Sequence, residues 1–277
     1  MATTHNDIQT YNIQTRYADI SVLDTGGNGL PVLLIHGNSS CKEIFRYQID
    51  YLKGKYRVLA LDLPGHGASS NASEPQLAYS MPSYAHTVIE VLEKIGINRW
   101  VVFGWSLGGH IGLEMLALTS KMIGLMICGT PPVSAGADNV ALGFRPSEHM
   151  GLAGKAEFTE EDIKNFANET AGINSPHEPF IFEAVARTDG LARKYLFESF
   201  LSSQATDQKR LAETSETPLA IVNGAGDPFI NINYINGLNY RNLWKGKVFN
   251  LVDADHAPFW EIPEIFNPIL LAFLDEF

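Results

Sequence analysis

The chain is poor in cysteine and has no long apolar run. Its two cysteines, Cys41 and Cys128, lie far apart and form no C-x-x-C pair, so neither a disulfide nor a cysteine metal site is predicted. No stretch reaches the roughly 18 consecutive apolar residues of a membrane-spanning helix. The first residues also lack the basic-then-apolar pattern of an export signal. We therefore expect a cytoplasmic protein without a metal or other cofactor.

Basic residues are also scarce relative to acidic ones. Thirty-one Asp and Glu against twenty Lys and Arg leave a formal net charge of −11. Because such a charge repels phosphate backbones and anionic lipids, we predict no nucleic-acid partner and no membrane partner. The 277 residues, 45% of them hydrophobic, suffice for one α/β domain with an insertion. Composition predicts no particular oligomeric state.

One short segment carries the strongest chemical signal. An apolar stretch runs into the sequence Gly-Trp-Ser-Leu-Gly at 104–108, and a helical pattern follows. A serine at a tight strand-to-helix turn, with glycines two positions before and after it, is typical of a nucleophile elbow, because side chains at those positions would collide. Ser106 is therefore the predicted nucleophile. The backbone N–H of Leu107 is a predicted oxyanion-hole donor.

A serine hydroxyl becomes a good nucleophile when a neighbouring base takes its proton. Enzymes with this elbow place an acid and then a histidine after the serine along the chain. Two predicted strands late in the sequence are followed by Asp227 and His256, which makes them the predicted acid and base. Asp253 and Asp255 are rival acids, but their closeness to His256 favours roles in capping its loop.

Other histidines near predicted strand ends receive different interpretations. His36 ends an apolar strand, and the loop after it should supply the second oxyanion N–H, from Asn38. The His36 imidazole is expected to organise this loop and is a candidate substrate-binding group. His66, in a Gly-His-Gly turn, is expected to be structural. His110 follows the elbow and is expected to be a hydrogen-bonded core histidine.

Strand and helix patterns alternate along most of the chain, which predicts a mostly parallel eight-stranded sheet with helices on both faces. The predicted strands are 8–14, 17–23, 31–35, 57–61, 100–104, 122–128, 218–223 and 247–252. The predicted helices lie near 41–53, 82–95, 107–119, 231–239 and 261–275. Ser80 and Gly96 are the predicted start and stop of the second helix.

Residues 131–216 break this alternation with glycines and short helical patterns. We predict that they form an inserted helical cap, and that residues 1–130 and 217–277 form the core. A capping-box pattern at 159–162 begins one cap helix, and Phe166 on its apolar face is a candidate substrate contact. The cap aromatics that could line an acyl pocket are Phe144, Phe158, Phe166, Phe180, Phe182, Tyr195, Phe197 and Phe200.

Several segments resemble the metal-independent N-acylhomoserine lactonases of the α/β-hydrolase fold, the AidH type. They include His-Gly-Asn-Ser-Ser at 36–40, Asp-Leu-Pro-Gly-His-Gly at 62–67, the elbow with Trp105, Arg-Thr-Asp-Gly at 187–190 and His-Ala-Pro-Phe at 256–259. The resemblance runs over nearly the whole chain. It implies a quorum-quenching enzyme whose partner is a small acylated lactone.

In that family the serine opens the lactone ring through an acyl-enzyme without a metal. The resemblance implies these roles for Ser106, His256 and Asp227. The family's acid can be Glu, whereas this chain has the shorter Asp227. Trp105 is a further candidate substrate-binding residue, beside Phe166 and His36.

Three alternative functions stay open from the sequence. A general carboxylesterase or a carbon–carbon bond hydrolase would use the same triad. A ligand receptor on a hydrolase scaffold would keep the triad and turn over slowly. Haloalkane dehalogenases and epoxide hydrolases carry Asp at the elbow, so Ser106 argues against both.

Overall fold

A sheet of eight strands runs through the centre of the chain. The computed structural model describes residues 8–147, 150–172, 175–176 and 178–277. The strands are β1 (Gln9–Gln14), β2 (Asp19–Asp24), β3 (Pro31–Ile35), β4 (Arg57–Leu61), β5 (Trp100–Trp105), β6 (Met122–Cys128), β7 (Leu219–Gly224) and β8 (Phe249–Leu251). Each starts and ends within two residues of a predicted strand, so the eight strand predictions are confirmed.

The sheet order is β1-β2-β4-β3-β5-β6-β7-β8. β1 and β2 pair antiparallel with each other, as do β2 and β4, and the remaining pairs are parallel. Because parallel strands end at the same edge of a sheet, the loops after β3, β5, β7 and β8 lie along one edge. The predicted α/β class with a mostly parallel eight-stranded sheet is confirmed.

Helices cover both faces of this sheet. They are α1 (Arg46–Leu52), α2 (Pro75–Ala78), α3 (Met81–Ile95), α4 (Leu107–Leu118), α5 (Ala137–Gly143), α6 (Glu160–Ala171), α7 (Pro179–Arg187), α8 (Gly190–Leu201), α9 (Gln208–Thr214), α10 (Ile232–Asn236), α11 (Pro258–Glu261) and α12 (Pro263–Leu274). Tyr84 of α3 and Ile111 of α4 are buried in one core layer, and Ile49 of α1 and Phe266 of α12 in the other. The sheet is therefore buried between two layers of helices.

The helix ends follow the capping signals of the sequence. The Ser80 hydroxyl accepts the backbone N–H of Ser83 at the start of α3, and Gly96 ends that helix with φ 81°. Both predicted boundaries are confirmed. The shorter helix α10 ends at Asn236, three residues before its predicted end, and the backbone N–H of its C-cap residue Gly237 donates to the Asn233 carbonyl.

Two predicted helices differ from the structure. The predicted helix 41–53 begins as a 3₁₀ turn at Lys42–Phe45 before it becomes α1. The predicted helix 261–275 was wrong at its start, because α11 ends at Glu261 and α12 begins at Pro263. Proline lacks the N–H of a helix interior and favours the first helical turn, so it starts a new helix there.

Helices α5 to α9 all lie between β6 and β7, where the sequence predicts the cap. Thr159 and Asp162 form the predicted capping box at the start of α6. In the described part of this stretch no strand joins the sheet. The division into core and cap domains at 131 and 216 stays a prediction.

The Arg-Thr-Asp-Gly segment at 187–190 ties the predicted cap to the predicted core. The Arg187 guanidinium donates to the carbonyl of Ser69 at 2.6 Å, and the Asp189 carboxylate accepts the Tyr79 hydroxyl at 2.7 Å. This segment therefore joins the cap to the loop after β4. Among the described residues, no helix combines the length and apolar character needed to cross a membrane.

Candidate active site

Ser106 stands at the turn between β5 and α4. Its backbone has φ 53° and ψ −115°, a conformation that costs energy for any residue other than glycine. A Cβ on Gly108 would clash with the carbonyl oxygen of Ile35, and one on Gly104 would clash with Gly108. Both glycines are therefore required by close backbone contacts, and the predicted elbow geometry is present.

Asp227 and His256 are in direct contact. Nδ1 of His256 donates to Oδ2 of Asp227 at 2.7 Å, and both side chains are buried. The second carboxylate oxygen, Oδ1, accepts the backbone N–H of Phe229 at 2.8 Å and of Ile230 at 3.3 Å. Because the carboxylate holds Nδ1–H, Nε2 of the neutral imidazole is free to act as a base.

The imidazole of His256 is enclosed by three further residues. The indole Nε1–H of Trp105 donates to the His256 carbonyl at 2.9 Å. The Phe229 ring meets the imidazole edge-on, with ring centres 4.9 Å apart. A Cβ on Gly129 would lie 2.7 Å from Cε1 of the imidazole, so this loop also packs tightly against the ring. The His256 side chain is thus held through its backbone carbonyl, its ring contacts and its partner Asp227.

The two rival acids lie elsewhere. Asp253 is exposed in a turn with φ 64°, and the carboxylate of Asp255 packs beside Gly226. Asp227 occupies the Nδ1 side of His256, which supports its choice as the acid.

Ser106 lies where two cavities meet. The smaller cavity, of about 90 Å³, is lined by Ser106, His256, Trp105 and Phe229 among others. The larger, of about 340 Å³, has a mostly apolar lining drawn from α4, α5 and α8. Asn38 lines both cavities together with Ser106. A ligand at the serine can therefore extend one group into each cavity.

The predicted cap aromatics divide into two groups. Phe144, Phe197 and Phe200 line the larger cavity. Phe144 and Phe166 line the smaller cavity. Phe166 thus lies beside the triad and outside the large apolar cavity. The aromatics that line neither of the two cavities are Phe158, Phe180, Phe182 and Tyr195.

His36 requires a correction as a substrate-binding residue. It is fully buried and lines neither cavity. Its Nε2 accepts the backbone N–H of Leu63 at 3.1 Å, and its Nδ1 donates to the carbonyl of Gly37 at 2.7 Å. Burial lowers the pKa of His36 to about 4. Both ring nitrogens are therefore occupied, and His36 organises the loop after β3.

The two residues predicted to supply the oxyanion donors, Asn38 and Leu107, line the larger cavity together with Ser106. Leu107 begins α4, where the first backbone N–H groups have no partner within the helix. Within the described residues, no hydrogen bond occupies the backbone N–H of Leu107 or Asn38. The Asn38 side chain donates to the carbonyl of Ala153 at 2.9 Å, which ties this loop to the cap. The oxyanion role of both residues stays a prediction.

Comparison with known proteins places this geometry in a family. A family model described as alpha/beta hydrolase fold matches residues 31–263. The chain belongs to the alpha/beta hydrolase fold family.

Individual relatives are similar over very different lengths. A crystal structure of an N-acyl homoserine lactonase AidH mutant with N-hexanoyl homoserine has a TM-score of 0.93 and 42% identity, and covers 97% of both chains. Another AidH mutant, in complex with N-hexanoyl homoserine lactone, has the same TM-score and identity and covers 96% of this chain and 97% of that one. A pimeloyl-[acyl-carrier protein] methyl ester esterase from Methylococcus capsulatus is 35% identical over 112 residues, 39% of this chain. The chain spans 41% of that esterase's length.

His110 of this hydrolase lines the larger cavity and heads a buried polar chain. Its Nδ1 donates to Oε1 of Gln208 at 2.7 Å, and Nε2 of Gln208 donates to Glu114 at 2.7 Å. Burial lowers the pKa of His110 to about 4, so the ring is neutral. The expectation of a hydrogen-bonded core histidine is confirmed, and the ring also forms part of the cavity wall.

Sequence reasoning missed two residues that contact the base or its loop. Phe229 packs on the His256 ring, and Glu261 accepts backbone N–H groups beside His256. Phe229 lies two positions after Asp227, and Glu261 lies five positions after His256. This short spacing was the only feature of the sequence that could have pointed to these two residues. In the described part of the chain, no group of three His, Cys, Asp or Glu side chains is arranged to hold a metal.

Proposed function

We propose that this hydrolase opens the lactone ring of N-acylhomoserine lactones through the triad Ser106, His256 and Asp227. Similarity to AidH across almost the whole chain carries this proposal, because the AidH structures contain N-hexanoyl homoserine lactone and N-hexanoyl homoserine. The two cavities that meet at Ser106 agree with such a ligand, which has a small polar head and an apolar tail. Quorum quenching and a cytoplasmic location belong to the same proposal.

The first half of the reaction acylates the serine. Nε2 of His256 takes the hydroxyl proton while Oγ of Ser106 attacks the lactone carbonyl carbon. The backbone N–H groups of Leu107 and Asn38 stabilise the oxyanion, and Asp227 stabilises the imidazolium. When the tetrahedral intermediate collapses, the ring carbon–oxygen bond breaks. The released oxygen takes the proton from His256, which leaves an acyl-enzyme with a free hydroxyl on the same molecule.

The second half returns the enzyme to its starting state. Nε2 of His256 takes a proton from water as the water oxygen attacks the acyl-enzyme carbonyl. Collapse of this second intermediate breaks the bond to Oγ of Ser106, and the proton on His256 returns to that oxygen. The product is the open N-acylhomoserine with its amide intact.

We place the homoserine lactone head in the smaller cavity and the acyl chain in the larger one. Trp105 and Phe166 would contact the head, whereas Phe144, Phe197 and Phe200 would contact the chain. Each buried methylene contributes up to about 0.8 kcal/mol. Chains of several carbons should therefore raise kcat/KM by orders of magnitude over the lactone without an acyl chain.

Mass spectrometry of the purified protein with N-hexanoyl homoserine lactone tests this function. The expected product is heavier than the substrate by one water and retains its amide bond. Hexanoic acid together with free homoserine lactone would identify an amide-cleaving acylase and contradict the proposal. Faster turnover of simple aryl esters, with no gain from an amide-linked acyl chain, would favour the general carboxylesterase.

A further inference from the structure

The carboxylate of Glu261, the last residue of α11, lies behind the loop that carries His256. Its Oε1 accepts the backbone N–H of Asp255 at 3.0 Å and of Ala257 at 3.1 Å, and its Oε2 also accepts the Asp255 N–H, at 3.1 Å. Asp255 and Ala257 are the immediate neighbours of His256 in sequence. One carboxylate therefore fixes the backbone on both sides of the base.

Three separate contacts thus hold this histidine. Asp227 holds the imidazole, Trp105 holds the backbone carbonyl, and Glu261 holds the two neighbouring N–H groups. Loss of the Glu261 carboxylate would leave the N–H groups of Asp255 and Ala257 without this acceptor, and the backbone that orients the imidazole would be less constrained.

Glu261 is poorly solvated for a charged group. A Cβ on Gly172, which follows cap helix α6, would clash with the carboxyl group, so the cap backbone covers it. Burial raises the pKa of Glu261 to about 7, against the lowering effect of its backbone donors. Of the charged and titratable groups around it, Asp255 raises this pKa further and His256 lowers it, while Cys128 on β6 is a neutral thiol.

We propose that Glu261 is a positioning residue that, when ionised, holds His256 in the geometry for proton transfer. Glu261 lines neither cavity, so it acts through the base and does not touch the substrate. The inference rests on the proposed role of His256. It adds a second ionisation to the acid side of the activity profile, because protonation of Glu261 slows the proton transfer that the base carries out.

Kinetics of E261Q test this role, with N-hexanoyl homoserine lactone and an activated aryl ester as substrates. Gln is nearly isosteric and its Oε1 can still accept both N–H groups, but its NH₂ group would replace Oε2 and set a donor against the N–H of Asp255. We expect kcat to fall by about 10- to 100-fold, a loss typical of a small misplacement of reacting groups, with KM nearly unchanged. E261D should recover part of the loss. E264Q, which changes an exposed glutamate at the start of α12, is the matched control and should behave like the wild type.

The pH profile separates positioning from a general structural role. For the wild type, the slope of log(kcat/KM) against pH should approach 2 on the acid side, and for E261Q it should approach 1. In the H256A background, E261Q should cause no further loss, since the residue acts through His256. Wild-type kcat in E261Q, a wild-type slope of 1, or an equal loss in the H256A background would each overturn the proposal.

Two controls keep these outcomes distinct. Circular dichroism and thermal unfolding establish whether E261Q is folded, and if it is not, E261D and the wild-type slope decide. If the aryl ester is hydrolysed and the lactone is not, the lactonase function fails while the Glu261 test continues on the ester.

Discussion

The indole N–H of Trp105 donates to the backbone carbonyl of His256 at 2.9 Å, across 151 positions of sequence. The residue directly before the nucleophile therefore holds the residue proposed as its base. Trp105 also lines the smaller cavity beside Ser106. Trp105, the last residue of β5, thus connects the elbow with the loop after β8.

Removal of the nucleophile should abolish hydrolysis and preserve the fold. Ser106→Ala keeps both elbow glycines, so we expect a loss of about 10⁴ to 10⁶ in kcat with a thermal unfolding curve like that of the wild type. His256→Ala should behave alike, and the double variant should be little worse than either single one. Steady-state kinetics measure all three. A Ser106→Ala protein with more than a tenth of wild-type rate would remove Ser106 from the mechanism.

The acid can be identified by comparing three isosteric substitutions. Asp227→Asn should lower kcat by about 10⁴-fold, because the amide cannot stabilise the imidazolium formed on His256. Asp253→Asn and Asp255→Asn should each lose far less, since Asp227 is the group hydrogen-bonded to Nδ1. Kinetics with one lactone at saturating concentration make the comparison. If Asp255→Asn were the crippled variant, the assignment of the acid would be wrong.

Chelation tests whether the reaction needs a metal ion, and covalent inhibition tests whether it needs a serine nucleophile. Because backbone N–H groups polarise the carbonyl in the proposed mechanism, exhaustive treatment with a chelator should leave lactonase activity unchanged. A serine-directed phosphonate should abolish activity and add its mass to the peptide containing Ser106. Activity lost on chelation and restored by zinc would contradict the serine mechanism.

A larger side chain in the apolar cavity should change the preference for acyl-chain length. Val140 on α5 is buried and lines the larger cavity, so Val140→Phe should lower kcat/KM for N-hexanoyl homoserine lactone much more than for the N-butanoyl compound. Leu142→Phe lies on the same helix, is exposed and lines neither of the two cavities, and should leave the ratio unchanged. Equal ratios in both variants would place the acyl chain elsewhere.

Stability should fall in mild acid because three buried histidines stay neutral in the folded state. Burial lowers the pKa of His36 and His110 to about 4 and of His66 to about 3. In the unfolded chain each titrates near 6.5, so below that pH the unfolded state binds more protons. The free energy of unfolding should then decrease by up to about 1.4 kcal/mol per pH unit for each histidine.

Denaturant unfolding between pH 7.5 and 5 measures this slope. Glu261, with its raised pKa, acts in the opposite direction by up to one proton over the lower part of that range, because its folded form binds a proton more readily. His66→Phe should reduce the slope by about one proton and E261Q should increase it. A slope unaffected by His66→Phe would show that this histidine is not the cause.

Features set by neighbouring residues were predictable from sequence. The elbow requires glycine at 104 and 108 because of local backbone crowding, and the ends of α3 follow from Ser80 and Gly96. The strands were equally clear, since buried parallel strands are continuous apolar runs. Helix ends near 41–53 and 261–275 were less predictable, because a 3₁₀ turn and a helix break at a proline leave the same apolar pattern.

The sequence by itself determined the sheet, the elbow serine and the order of the candidate triad, because each depends on spacing within a short segment or on order along the chain. The tertiary structure alone decided that Asp227 pairs with His256, that His36 lies outside both cavities, and that Glu261 holds the loop of the base. The tertiary structure also showed that Phe166 lines the smaller cavity and not the large apolar one. These facts depend on contacts between distant segments, or on which way a loop turns, and neither leaves a periodic pattern in the sequence.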